Sequence, residues 1–260
     1  MVKFAGSKIL LILCRRAGIL IQNAVIVFVF GLVLGSFFNV CIYRIQRGKS
    51  IVFPSNSYCP KCKTPIKWYD NMPVLSFLLL KGRCRACSSK ISLRYPIVEL
   101  LTGILFVLFF LKFGLEKIYF FYIILVGYMI VLTFIDIDKK EVPDGVIVSL
   151  FMTGFILNTL EMNRGINIFS GLIGALAGGF AIYLMNYFTS GKIGEGDVKL
   201  FAALGFCLGL QGVTALILWS FIAGGAISAV LVIAKKFKRT DKIAFVPFVA
   251  LAFVLSGLIL

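Results

Sequence analysis

Two aspartates, Asp136 and Asp197, stand at the edges of apolar segments, where a carboxylate is costly unless it is paired or hydrated. Asp197 closes a short polar break that begins at Gly194, and Asp136 directly continues the apolar run that ends at Ile135. Two carboxylates within a few ångströms of each other share a proton. One of them can then take a proton from water while the other donates a proton to a carbonyl and later to a leaving amine. The pair therefore predicts acid–base hydrolysis of an amide bond.

The neighbours of the two aspartates fit this chemistry but also allow a simpler interpretation. Gly194 and Gly196 have no Cβ, so the backbone of a bound peptide can approach closely. Asp138 lies two residues beyond Asp136 and faces a different side of a helix, which gives it a secondary, supporting role. Because aspartate is favoured at helix starts, Asp197 is alternatively a simple helix cap, as Asp144 is expected to be.

Four cysteines form a second group of residues that could do chemistry. They are arranged as two Cys-x-x-Cys pairs, Cys59 with Cys62 and Cys84 with Cys87, and 21 residues separate the pairs. Four thiolates at this spacing can surround one tetrahedral Zn²⁺ at about 2.3 Å each. Because four protein ligands leave no open position, the zinc is expected to be structural and to fold a loop that is too small for its own core. Two disulfides are the alternative if the segment is extracytoplasmic.

The composition places most of the chain in lipid. It has 260 residues, of which 60% are hydrophobic and 15% charged, and its mean hydropathy is +1.00. It contains no histidine, which excludes Ser-His and Cys-His catalysis and every histidine-containing metalloprotease motif. The net charge of +16 is primarily a topology signal, and no nucleic-acid partner is expected. The remaining cysteines lie in apolar runs as expected buried, inert thiols: Cys14, Cys41 and Cys207.

The apolar runs predict an all-α polytopic membrane protein with about eight transmembrane helices and a small cytoplasmic four-cysteine zinc-binding loop. The 35-residue run 200–234 is too long for one span, and Gly209–Gly212 offers a turn that divides it. The other runs are 17–43, 96–111, 118–135, 145–160, 168–188 and 243–260. The predicted domains are an N-terminal segment with the first transmembrane helix (1–43), the zinc-binding loop (44–95) and a seven-helix transmembrane peptidase domain (96–260).

The basic residues indicate which side of the membrane each loop occupies. In an eight-span topology, 20 of the 27 lysines and arginines fall on one side, including 11 within residues 44–95, and seven fall on the other. The positive-inside rule assigns the richer side to the cytoplasm, which is reducing and so favours zinc over disulfides. The sequence thus predicts a multi-pass protein of the cytoplasmic (inner) membrane, with the aspartate pair and the cysteine loop facing the cytoplasm.

Five sets of residues together resemble one family. They are Gly35-Ser36-Phe37-x-Asn39-Val40-x-x-Tyr43-Arg44, the two Cys-x-x-Cys pairs, Arg94-Tyr95-Pro96-x-Val98-Glu99-Leu100, Ile135-Asp136-x-Asp138 with Pro143-Asp144, and Gly194-x-Gly196-Asp197-x-Lys199-Leu200. From about residue 31 to 205 the chain resembles the bacterial type IV prepilin peptidases. The resemblance implies an integral-membrane aspartyl peptidase that removes the basic leader of prepilins or pseudopilins after a glycine. It places the catalytic pair on Asp136 and Asp197, with Gly194, Gly196, Asp138 and Lys199 in support.

The resemblance also implies a second activity. Family members that keep the cysteine loop often methylate the new N-terminal amine with S-adenosylmethionine, which would be the cosubstrate here. The residues that would take part are Gly82, Arg83 and Glu99, although the family has lysine where Arg83 stands. Near the C-terminus, the family's Pro-Phe-Gly-Pro appears within the segment 243–247 (IAFVP), so that two of its four residues are changed.

Two other functions compete with a peptidase. A transporter could use the intramembrane acids as a proton relay, but it predicts repeated halves with broken helices, and no convincing internal repeat is found. A membrane-anchored zinc module could serve as an assembly scaffold, with the aspartates as simple caps. The lipid bilayer is a partner in all three cases, and the sequence does not set the oligomeric state.

Overall fold

The structure is a computed structural model that describes residues 3–53, 57–163, 165–189, 194–233 and 244–259. These residues form helices joined by short connections, one 3₁₀ turn at Trp68–Asn71 and two isolated β-bridges, with no extended strand among them. The helices are α1 (Lys3–Ile45), α2 (Leu75–Leu79), α3 (Arg94–Phe113), α4 (Lys117–Lys139), α5 (Asp144–Thr159), α6 (Ile168–Phe188), α7 (Glu195–Ile233) and α8 (Val246–Ile259). The predicted all-α class is confirmed.

Five of the described helices are long and apolar enough to cross a membrane, namely α1 from residue 18 onward, α3, α4, α6 and α7. Two more, α5 and α8, are apolar but shorter. Helix α7 is interrupted at Gly209, where φ is 67° and ψ is −176°, a conformation that glycine adopts without steric cost. The break lies where the sequence predicted a division of the long apolar run. The total of eight spans stays a prediction.

The chain divides into two compact units. The first contains Met1–Phe37 and Asn56–Gly114, and the second contains Phe38–Ser55 and Leu115–Leu260. In the first unit, α1 packs on α3 through Gly31, where a Cβ would lie 2.7 Å from the Cα of Gly103. Such small residues let membrane helices approach closely.

The second unit is built around α4, α7 and α8. Helix α4 is buried along most of its length, and Asp136 lies in its last turn. Helix α7 begins at Glu195, so Asp197 lies in its first turn. The contact between α6 and α7 is close, because a Cβ on Gly174 or Gly205 would lie 2.2 Å from the carbonyl oxygen of the other residue. This contact fixes the helix that carries Asp197.

An alanine at Gly205 is therefore expected to destabilise the second unit. The added methyl group would meet backbone atoms of α6, which cannot move without shifting the helix, and overpacking of this kind costs about 1–3 kcal/mol. Thermal unfolding in detergent should show a lower Tm. Gly225→Ala is the matched control, because a Cβ at Gly225 meets no atom within 4 Å. Equal Tm values for the two variants would contradict the proposed close contact.

Candidate active site and metal centre

The carboxylate of Asp136 is held by the start of α8. Asp136 is 6% exposed, and its Oδ2 accepts a hydrogen bond of 2.9 Å from the backbone N–H of Val246. The backbone N–H of Phe245 donates to the same carboxylate. The first N–H groups of a helix have no partner within the helix and carry its positive dipole end. The start of α8 therefore supplies donors to a carboxylate that would otherwise be buried without partners.

Asp197 lies near Asp136, at the start of α7. Its backbone N–H bonds to the carbonyl of Gly194 at 3.0 Å, and its side chain is half-buried. Asp136 is close enough to act electrostatically on the carboxylate of Asp197. The structure thus brings together the two aspartates that the sequence singled out, although 60 positions separate them.

The Phe245–Val246 corner, formed by these two residues before and at the start of α8, contacts both helices that carry the aspartates. Its backbone holds Asp136 on α4, while the Phe245 ring packs on rings of α7, with centroid distances of 6.2 Å to Phe201 and 5.3 Å to Phe221. Phe201 lies four residues after Asp197 and so shares its helix face. The corner therefore couples the position of one carboxylate to the helix that carries the other.

The same corner lies in the segment where the chain departs from the family pattern. Ala244 stands in place of the first proline and Val246 in place of the glycine, whereas Phe245 and Pro247 are kept. The contact with Asp136 uses backbone N–H groups, which every residue except proline provides. The two changed residues therefore leave the donors to Asp136 intact.

Proline at position 246 is expected to weaken any reaction that depends on Asp136. Val246 is the first residue of α8, where the ring of proline is compatible with a helix, so that Val246→Pro removes the N–H donor with little change to the helix itself. Losing one hydrogen bond to a charged group should lower kcat about 10- to 100-fold. Val246→Ala keeps the N–H and is the matched control. Equal kcat values for these two variants in a peptide-cleavage assay would show that the donor is dispensable.

The predicted supporting residues contact protein groups around the aspartates. Asp138 accepts a hydrogen bond of 2.8 Å from the side chain of Gln46, and the ammonium group of Lys139 donates to the Gln46 carbonyl. These contacts tie the end of α1 to the end of α4. Gly196 packs on Val142, whose Cβ would lie 3.0 Å from a Cβ at position 196. The lack of a side chain at Gly196 thus brings the start of α7 close to the chain that precedes α5.

Lys199 forms an ion pair of 2.6 Å with Asp144. The prediction that Asp144 caps α5 was wrong, because Pro143 occupies the N-cap position and Asp144 is the first residue of the helix. Its side chain is exposed and turns toward α7 instead. The pair connects the starts of α5 and α7, close to Asp197, but its exposure means that it adds little to stability.

The four cysteines of the first unit are gathered at one point. Their Sγ atoms all lie within 4.8 Å of one another, and those of Cys59 and Cys87 are 3.9 Å apart. In a tetrahedral site with metal–sulfur distances of about 2.3 Å, neighbouring sulfurs are roughly 3.8 Å apart. All four are free thiols, so the donor set fits a closed, four-sulfur metal centre.

The two cysteine turns are repeats of one another. In the first, the N–H of Cys59 bonds to the carbonyl of Thr64, and Lys63 has a φ of 58°. In the second, the N–H of Cys84 bonds to the carbonyl of Ser89, and Ser88 has a φ of 55°. A hydrogen bond from the backbone N–H of Cys62 is the main reason that the pKa of Cys59 falls to about 6. The thiolate is the form that binds metal.

Two polar contacts fix the chain between the cysteine turns. The Arg85 guanidinium donates to both oxygens of Asp70, through Nη2 at 2.7 Å and Nε at 2.9 Å, and these bonds lower the pKa of Asp70. The buried carboxylate of Glu99, on α3, accepts the backbone N–H of Val74 at 2.7 Å and the hydroxyl of Ser36. The segment is thus tied to the second cysteine turn and to the membrane helices α1 and α3.

The residues expected to take part in methyl transfer do not share one environment. Gly82 has a φ of 67°, and a Cβ there would lie 3.0 Å from the ring of Phe77. Arg83 is exposed and pairs through its backbone with Lys90 in an isolated β-bridge. Glu99 is turned toward Val74 and is buried. Gly82 and Arg83 therefore adjoin the second cysteine turn, whereas Glu99 acts on the segment that precedes it.

The fold and the two sites define a class: a helical, multi-pass membrane protein with two interacting aspartates at helix ends and a four-cysteine cluster that could hold a metal. Two models of known protein families match this chain. The sequence model of the Bacterial Peptidase A24 N-terminal domain matches residues 29–113, and that of the Type IV leader peptidase family matches residues 123–229. The chain belongs to the type IV leader peptidase family.

Several curated relatives carry the name prepilin leader peptidase/N-methyltransferase. The protein of Neisseria gonorrhoeae is 37% identical over 236 residues, which cover 80% of this chain and 82% of the relative. That of Klebsiella pneumoniae is 40% identical over 197 residues, covering 71% and 84%. That of Bacillus subtilis is 32% identical over 233 residues, covering 90% and 93%. No solved structure matches the chain.

Proposed function

We propose that this protein is an integral-membrane aspartyl endopeptidase that cleaves the basic leader from type IV prepilins or pseudopilins and then methylates the new N-terminal amine. Membership of the leader peptidase family supports both activities. The observation that carries the peptidase assignment is that Asp136, in the last turn of α4, lies close enough to Asp197, in the first turn of α7, to act electrostatically on its carboxylate. A transporter is not favoured by the comparisons, and a scaffold does not need interacting carboxylates.

The proposed hydrolysis uses the two carboxylates in turn. The ionised member of the pair removes a proton from a water molecule, whose oxygen attacks the carbonyl carbon of the scissile peptide. The protonated member donates its proton to the carbonyl oxygen, which gives a neutral tetrahedral diol. The C–N bond then breaks as the nitrogen receives a proton from one carboxyl group and the other carboxylate takes a proton from a diol hydroxyl, which leaves a free amine, a carboxylic acid and the pair with its single proton. The N–H groups of Phe245 and Val246 keep the Asp136 carboxylate in a fixed orientation during these steps.

The cysteine loop is proposed to hold one structural Zn²⁺ through the four sulfurs of Cys59, Cys62, Cys84 and Cys87. Bound zinc would cross-link the two turns of a segment that has little apolar core of its own. Methyl transfer from S-adenosylmethionine is assigned to the region around Gly82 and Arg83. Glu99 is proposed to support it as a positioning residue, through its hydrogen bond to Val74.

The same proposal includes the location and the domain boundaries. The apolar helices fit a multi-pass membrane protein. We place it in the cytoplasmic membrane with both sites facing the cytoplasm, because 20 of the 27 basic residues fall on that side of the predicted topology. Residues 1–43 then provide the first membrane segment, 44–95 the cytoplasmic loop and 96–260 the peptidase helices.

A cleavage assay tests the proposed function. Purified protein in detergent is mixed with a prepilin, and the mass of the product is measured with and without S-adenosylmethionine. The proposal expects loss of the leader in both cases and the added mass of one methyl substitution only when the cosubstrate is present. A prepilin that keeps its full mass would contradict the peptidase. A shortened product that never gains the methyl group would limit the function to cleavage.

A further inference from the structure

An uncharged run interrupts the basic segment between the membrane helices α1 and α3. The nine residues Met72–Leu80, here called the apolar ledge, contain no charged side chain and include α2. Three leucines of the ledge point outward, with Leu75 46%, Leu78 65% and Leu79 72% exposed. Trp68, just before the ledge, is 81% exposed. This part of the cysteine segment therefore presents apolar side chains that nothing in its own unit covers.

The ledge is fixed beside the first turns of α3. The backbone N–H of Val74 donates to Glu99, which lies five residues after the start of α3 at Arg94. At 1.5 Å per residue, Glu99 lies about 7 Å from the start of α3, measured along the helix axis. Ile97 and Ile104, which flank Glu99 on α3, are 51% and 50% exposed and already form part of the apolar outer surface of a predicted span. The contact with Glu99 therefore places the ledge level with the first turns of that predicted span.

The backbone of the ledge is largely satisfied without water. The N–H groups of Ser76, Leu78 and Leu80 bond to the carbonyls of Met72, Val74 and Ser76, and the Ser76 hydroxyl donates to the Met72 carbonyl at 2.7 Å. The N–H of Val74 is the one that Glu99 accepts. Because unpaired backbone groups are costly in lipid, a segment that pairs its own groups can leave water at low cost.

The charges beside the ledge suit an anionic lipid surface. Lys67 precedes it and Lys81 follows it, and both side chains are exposed. Asp70, the acidic residue between Lys67 and Lys81, forms an ion pair with Arg85. Exposed lysines next to an apolar helical face, together with an exposed tryptophan, are typical of elements that lie in the membrane interface.

We propose that the apolar ledge inserts its exposed leucines into the boundary between lipid headgroups and acyl chains. Trp68 lies at the headgroup level, and Lys67 and Lys81 contact lipid phosphates. The cysteine centre is thereby held against the membrane surface instead of being suspended in the cytoplasm. This inference does not depend on the proposed peptidase activity, because it rests on the exposure, the anchoring and the charges of the segment alone.

Depth-dependent tryptophan quenching tests the ledge. The chain has two tryptophans, so Trp68→Phe combined with Trp219→Phe gives a background into which Leu79→Trp is introduced. The full-length protein is placed in nanodiscs of phosphatidylglycerol and phosphatidylcholine that carry a spin label near the top of the acyl chain. We expect the lipid label to quench Leu79→Trp at least about twofold more than the exposed control Lys90→Trp, and aqueous acrylamide to show the reverse order.

Two results would overturn the proposal. If acrylamide quenched the Leu79→Trp variant as strongly as the Lys90→Trp variant, and the lipid label had no effect on it, the ledge would lie in water. Protection of Leu79→Trp from both quenchers would show that protein covers it, for example a second copy of the chain. The native Trp68, left alone in the Trp219→Phe variant, provides the same measurement if the engineered tryptophan prevents folding.

Discussion

Asparagine at Asp136 or at Asp197 is expected to lower kcat for leader cleavage by at least about 10³-fold, because each carboxylate is proposed to transfer a proton in the reaction. Asparagine has almost the same shape as aspartate, and its one amide oxygen can still accept the N–H of Val246, so the Asp136 variant should fold and insert normally. The rate is measured from the mass of the prepilin over time, with Tm in detergent as the check on folding.

Asp138→Asn is the matched control for this prediction. Asp138 lies on the same turn of α4 and bonds to Gln46, a contact that an asparagine oxygen can also accept. The kcat of Asp138→Asn should stay within about tenfold of the parent, because at most the hydrogen bond to Gln46 is weakened. Full activity of either Asp136→Asn or Asp197→Asn would remove the catalytic assignment, and equal loss in all three variants would point to a structural effect.

Serine at Cys59 or at Cys84 is expected to abolish zinc binding and unfold the cysteine loop. Either change removes one of four sulfur ligands, and no further cysteine or carboxylate of the described loop lies in the cluster to replace it. Because the free energy of binding a structural zinc is also folding free energy, loss of the metal should expose the loop to protease. Zinc content is measured by elemental mass spectrometry, and cleavage within residues 57–91 by limited proteolysis.

The controls for the zinc prediction are the cysteines that lie outside the cluster. Cys41 and Cys207 are buried, 7% and 0% exposed, and Cys41→Ala and Cys207→Ala should keep the zinc of the parent protein. A parent protein without zinc, or a Cys59→Ser variant that retains it, would contradict the proposed metal centre. Leader cleavage by the zinc-free variants would show separately whether the metal is needed for peptidase activity.

The gross architecture could be predicted because lipid imposes strong rules on sequence. Long apolar runs in a bilayer must be helical, so composition predicts helices directly. The division of α7 follows from Gly209, whose backbone conformation favours glycine. The four cysteines could be predicted to lie together because two Cys-x-x-Cys pairs are typical of a tetrahedral metal site, and this pattern does not depend on the surrounding fold. The burial of Cys41 and Cys207 confirms their expected environment, and Cys14 lies outside the described side chains.

The contacts that arrange the candidate site could not be predicted in the same way. Phe245 and Val246 hold Asp136 through backbone N–H groups, which leave no mark on residue type. Gln46 reaches Asp138 across a separation of 92 positions, and a lone glutamine gives no signal for such a contact. Two of the four motif residues in segment 243–247 are changed, yet Phe245 and Val246 still donate to Asp136, because their backbone N–H groups do not depend on side-chain type. A sequence pattern can show where a particular side chain is needed, but it cannot show a contact that the backbone of any residue can make.

The most direct test of the central claim is a double-mutant cycle on the two aspartates. The claim is that Asp136 and Asp197 form one proton-transferring unit, so that losing the second carboxylate should cost almost nothing once the first is gone. Single-turnover cleavage of a prepilin by the Asp136→Asn, Asp197→Asn and doubly substituted proteins should therefore give three equally low residual rates. Rate losses that multiply in the double variant, or a single variant that cleaves at the parent rate, would contradict it.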